Sequence, residues 1–110
     1  MGVLFATALI GFTALQSADS SSEDTVADRV FGHGGNFNTS SCNQTGVSAS
    51  SLCIPHGVAV DSVGNLYVSD ANNNRVLQYD DPLTTDTIAD RVFGHNGNFN
   101  TSSCNQTGVS

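Results

Sequence analysis

The residues able to do chemistry in this chain of 110 residues are few and far apart: three histidines, His33, His56 and His95, and three cysteines, Cys42, Cys53 and Cys104. A structural zinc site draws on closely paired ligands such as CxxC. None is present, and His33 and His56 share no ligand spacing. The stretch GHGGN at 32–36 is followed by no Lys and has no strand-to-helix context, so it does not read as a phosphate cradle. Asp61 and Asp70 stand beside Asn- and Gly-rich turns, where a carboxylate ordinarily accepts main-chain N–H groups. Arg75, after three asparagines, reads as half of a surface ion pair, which contributes little. No arrangement of Ser, His and Asp suggests a nucleophile with its base, so no catalytic or cofactor-binding residue is assigned. His33 and His95 read as loop residues, which leaves His56, directly before a patterned apolar stretch, as the one candidate ligand.

The elements that must position these residues emerge when the chain is compared with itself. Residues 24–48 and 86–110 match at 23 of 25 positions, differing only at Val26/Ile88 and Gly34/Asn96. The period is therefore 62 residues. Near-identity at a fixed period is the signature of modules in equivalent, stacked or radial positions. Composition adds that core material is thin: hydrophobic residues make up 38% of the chain and Trp is absent. Three Arg and no Lys against ten acids leave a net charge of −7, which repels phosphate backbones and anionic membranes. Nucleic acid is excluded as a partner on that ground.

Between the two copies lies the best-patterned stretch, GVAVDSVGNLYVSDANNNRVLQYD at 57–80. Val58 and Val60, Leu66 and Val68, and Leu77 and Tyr79 each recur at period two, which predicts three short strands. DSVGN and DANNN between them predict tight turns, since Asp, Asn and Gly tolerate left-handed backbone and bond their own main chain. Pro82 ends the ladder and DRVFG at 90–94 supplies a fourth strand. Four antiparallel strands per repeat describe one blade of a propeller, so the fold class is all-β.

The stretch PHGVAVDSVGNLYVSDANNNRVLQYD, residues 55–80, resembles an NHL repeat, whose pattern runs Pro-x-Gly-hydrophobic-Ala-Val-Asp, Gly-Asn-hydrophobic-Tyr-Val-x-Asp and Asn-x-Arg-hydrophobic. The ADRVFG segments are similar to the outermost strand of long-period bacterial NHL arrays. The period here is longer than the typical NHL repeat, and the excess lies in the connection HGGNFNTSSCNQTGVSASSLCIP at 33–55. The resemblance implies an NHL-type β-propeller serving as a binding scaffold, without implying one activity. A lone blade leaves its faces wet, and roughly three or more repeats make a stable stack. The expectation is an incomplete propeller: a piece of a longer array, or a chain that associates with copies of itself.

In that frame residues 1–23 are an apolar, signal-like segment with an acidic, Ser-rich linker, and 24–110 are the repeat region, with one complete blade at about 57–94 flanked by partial repeats. The apolar run VLFATALIGFTAL has signal-peptide length, although no basic residue precedes it; a degenerate outer strand of an earlier blade is the alternative. Cys42 and Cys53 fall in the long connection and are expected to form a disulfide, worth about 3 kcal/mol by chain entropy. Cys104 repeats Cys42. A disulfide implies an oxidising compartment, extracellular or cell envelope. Asn38, Asn43, Asn100 and Asn105 begin N-glycosylation triplets, which arise readily in such composition.

Two function classes follow. In the first, the blades are a non-catalytic frame whose loops bind a protein or glycan, with no cofactor. In the second, the chain is a piece of a metal-dependent propeller enzyme of amidoglycolate-lyase or lactonase type, with zinc or calcium and His56 as one ligand. PHG at 55–57 is similar to the Pro-His context in which the lyases hold zinc. Catalytic zinc needs three protein ligands, and one blade supplies one. The first reading is preferred.

Overall fold

The computed structural model describes residues 25–104. The signal-like segment and acidic linker, residues 1–23, lie outside them, as does Asn105. Four strands form one antiparallel sheet in sequential order: β1 (Pro55–Val60), β2 (Leu66–Asp70), β3 (Arg75–Tyr79) and β4 (Arg91–Phe93). This is the all-β, four-stranded blade read from the period-two pattern.

Each strand ends where the sequence supplies turn chemistry. Between β1 and β2, the Asp61 amide donates to the Asn65 carbonyl at 3.0 Å, and Gly64 takes φ 96°, a conformation that favours a residue without Cβ. Between β2 and β3, a 3-10 turn at Ala71–Asn73 closes on Asn74 in the left-handed region. Asn tolerates that region because its short polar side chain bonds locally. After β3, Pro82 is buried in the turn and residues 84 and 85 bond back to the Asp81 carbonyl.

Register decides which side chains share a face. Val58 pairs with Val68, Val68 with Leu77 and Leu77 with Val92, so these four lie across one face. Leu66 and Tyr79 join them two residues along. Onto this face folds the long connection, placing Leu52 and Ala49 with Phe31, Ala89 and Phe99 around Val68, Leu77 and Tyr79. The cover stops short of β1, where Val58 and Val60 stay exposed. The opposite face, with Tyr67, Val76 and Phe93, has no second layer among the described residues; a shallow depression of 290 Å³ there is lined by Gly57, Ala59, Tyr67, Ser69 and Val76 beside Val58.

Candidate functional site

The centre of polar organisation is Arg75. Its position at the start of β3, one residue after the left-handed Asn74, points its guanidinium to the covered face beside Asp70, its partner in the β2–β3 register. Nε donates to Asp70 Oδ2 at 2.8 Å, and neither side chain has any exposed surface. Nη2 donates to the carbonyls of Ser48 and Ser51, both at 2.9 Å, and Nη1 to the carbonyl of Phe99 at 2.6 Å. One guanidinium thus holds the incoming connection (Ser48, Ser51) and the outgoing one (Phe99). The expectation of a surface pair is corrected: burial and four acceptors turn Arg75 into an internal clasp, the planar fork of donors being suited to several oxygens at once. Removing one partner of such a pair strands a buried charge, which costs far more than losing a surface contact.

Asp70 completes the clasp. Its Oδ1 accepts the Cys53 amide at 2.7 Å, the main-chain role expected of it, while Oδ2 also accepts Asn73 Nδ2 at 2.8 Å. Asn73, itself buried, exchanges two amide hydrogen bonds of 2.8 Å with Asn43. Next door, Cys42 is joined to the buried Cys53 by a disulfide, with Cα atoms 4.6 Å apart. The connection is therefore fixed at three neighbouring points: the disulfide, the amide pair and the Arg75 donors. Its outer surface, residues 34–38, 40–42 and 44–46, Gln44 among them, is exposed and, apart from Phe37 and Cys42, polar or glycine.

The disulfide and the main-chain role of Asp70 are legible in the sequence, but the Arg75 and Asn43–Asn73 contacts are not, because the carbonyls that Arg75 meets carry no residue signature and Asn43 lies 30 positions from Asn73. The one available cue was the run of three asparagines before Arg75. Their roles differ: Asn72 reaches Cys53 Sγ, Asn73 locks the incoming connection, and Asn74 donates to the Ser102 carbonyl of the outgoing one.

His56 occupies a different place. Pro55 pairs with Asp70 and Gly57 with Ser69, so His56 is the extra residue of a β-bulge at the start of the exposed edge strand. Among the described residues, no three of His, Cys, Asp and Glu gather as ligands could around a metal ion. The described residues alone do not make a zinc or calcium site around His56. His33 bonds Thr39 across its own loop at 3.0 Å, and the ring nitrogens of His95 are buried without a partner. Asp61 accepts from the Val63 and Asn65 amides, the Asn65 side chain and the Tyr67 hydroxyl. These bonds, led by the Asn65 amide, hold its carboxyl below the ordinary range, while burial, then the bond to Asp61, pushes the Tyr67 hydroxyl up.

The model of the NHL repeat matches residues 52–79, from Leu52 of the connection to the end of β3. The chain carries an NHL repeat. Its Asp70, Asn73 and Arg75, the clasp residues, all fall inside the matched span. No curated protein and no solved structure matches the chain. Among the described residues, no helix is long and apolar enough to cross a membrane.

Proposed function

We propose that this NHL-repeat chain is a non-catalytic interaction scaffold, extracellular or in the cell envelope, that presents its long connections to a protein or glycan ligand. The observation that carries the reading is the Arg75 clasp. A buried ion pair and a disulfide hold the root of the connection on the sheet, leaving an outer surface of Asn, Ser, Thr and Gly. Loops held by a rigid frame are the usual carriers of recognition, and Asn, Ser and Gly supply adaptable hydrogen bonding there. The disulfide favours an oxidising compartment.

The test is binding of the oxidised chain to a glycan array and to a panel of extracellular proteins. A ligand found in this way is expected to be lost on substituting Asn36, Asn38 and Gln44 together by Ala, and on reducing the disulfide, while His56→Ala leaves it unchanged. Binding indifferent to the loop residues would contradict the proposal. Stoichiometric zinc retained by the chain and released by His56→Ala would favour the enzyme reading instead.

A further inference from the structure

We propose that the blade of one chain can take residues 86–104 of a second chain in place of its own residues 25–42, giving head-to-tail assembly sealed by a disulfide between Cys104 of one copy and Cys53 of the next. The blade's socket for the first copy is visible. Phe31 sets its ring against Tyr79 with centroids 4.9 Å apart, and Arg29 donates to the carbonyls of Leu83 and Thr85 at 2.9 and 3.3 Å. Gly34 donates to the Ser50 carbonyl at 3.0 Å, and Cys42 bonds Cys53.

Among the described residues, no second blade receives the same groups of the second copy. Phe93 is 50% exposed, Arg91 is exposed, and Cys104 is an exposed thiol. The turn of this copy, residues 94–98, already has the backbone of residues 32–36. Gly32 and Gly94 take φ/ψ of 80/−174° and 104/175°, His33 and His95 take φ 53° and 52°, and Asn36 and Asn98 share φ −94° with ψ 118° and 117°. Neither sequence difference obstructs the exchange. Val26 and Ile88 are both exposed, a Cβ built at Gly34 meets nothing within 4 Å, and Asn96 adopts the left-handed conformation that Gly34 has.

Displacement is balanced for the receiving chain. Its residues 29–31 belong to no strand, so no ladder hydrogen bond is given up, and the incoming Arg91, Phe93 and Cys104 are of the same type as the Arg29, Phe31 and Cys42 they replace. The donor keeps β4 in its own sheet and covers Phe93. Phe93 lies on the open face, paired with Val76 and with its ring 6.3 Å from that of Tyr67, so docking brings the neighbouring blade against the apolar depression there. The contact is heterologous, one patch meeting a different one, so it propagates into chains or closes into rings.

The covalent step is thiol–disulfide exchange and needs no external oxidant. The Cys104 thiolate attacks Cys53 Sγ, the Cys104–Cys53 bond forms, the Cys42–Cys53 bond breaks, and Cys42 leaves with the electron pair and takes up the proton Cys104 released. Cys53 is buried, so exchange waits on the first copy lifting from the blade.

The experiment is non-reducing electrophoresis with disulfide mapping of the concentrated, oxidised 110-residue chain. The expected result is a ladder extending beyond dimers, with Cys53 linked to Cys104, absent in Cys104→Ser and formed at least about tenfold more slowly in Phe93→Ala, as for loss of an interface anchor. A second arm gives Cys42→Ser chain a synthetic peptide of residues 86–104, or a scrambled peptide with the same cysteine, each with its thiol activated as a mixed disulfide with thionitrobenzoate; the Cys53 thiolate displaces thionitrobenzoate, and the native peptide is expected to couple to Cys53 faster. Only Cys104-to-Cys104 links, no ladder at any concentration, or equal coupling of the two peptides would overturn the proposal.

Discussion

Two stretches of this chain have almost the same sequence and live in different surroundings. DRVFG at 90–94 contributes β4, because β3 lies beside it and Leu77 and Val92 stand opposite each other. DRVFG at 28–32 joins no strand and instead packs Phe31 on Tyr79. Phe99 packs against the core while its counterpart Phe37 is 55% exposed. Cys42 is bonded and Cys104 is not. The shared 3-10 turns at His33–Gly35 and His95–Gly97 show the complementary point: local glycine-rich conformation travels with the sequence, whereas strand, core and disulfide depend on the neighbour.

The largest expected effect comes from the residue that touches both copies. Arg75→Ala strands the Asp70 carboxylate, and its cost of roughly 3–5 kcal/mol is expected to unfold the blade, read as loss of the sheet signal in circular dichroism. Cys42→Ser comes next, lowering stability by about 3 kcal/mol on the chain-entropy account; Cys104→Ser in a dilute monomer is expected to change the melting temperature little. Equal effects of the two substitutions would erase the distinction between the copies. The phenylalanines separate them again: Phe31→Ala is expected to cost roughly 2 kcal/mol, less than a fully buried ring, and Phe93→Ala well under half of that, in urea titrations of dilute protein.

A smaller effect is expected at Tyr79, whose hydroxyl is buried with no partner and whose ionisation is pushed up by that burial. Tyr79→Phe removes an unsatisfied group and keeps the ring against Phe31, so stability is expected to be unchanged or to rise by up to about 1 kcal/mol. Smallest is the pH response of the β1–β2 turn. Asp61 is held ionised by donors present only in the folded chain, so its folded pKa is depressed. The stabilisation is complete above the unfolded carboxylate value and is lost as pH falls through the folded one. Amide resonances of Val63 and Asn65 are expected to shift in that acid window and to be insensitive to it in Asp61→Asn.

Legibility in the sequence followed the range of the interaction. The β2 and β3 pattern, Leu66, Val68, Leu77 and Tyr79, is local and reads directly as strand. The roles of Asp61 and Asp70 in accepting main-chain amides are local in kind, and they hold in the structure. The burial of Arg75 was not legible, since it is produced by a connection that returns from 24 and 27 residues away and presents only carbonyl oxygens. Nor could the strand potential of DRVFG be assigned to one copy over the other, because both spell it. The exposure of Val58 and Val60 inverts the usual inference from alternation, which finds a pleat but not whether a second layer covers it.

Amide hydrogen exchange across the two copies, compared residue for residue in dilute, oxidised protein, tests most directly that the neighbour and not the sequence decides their structure. Slow exchange is predicted within Arg91–Phe93, paired on β3, and fast exchange at residues 29–31, with Gly34 protected by Ser50. Matching rates at equivalent positions of the two copies would contradict it.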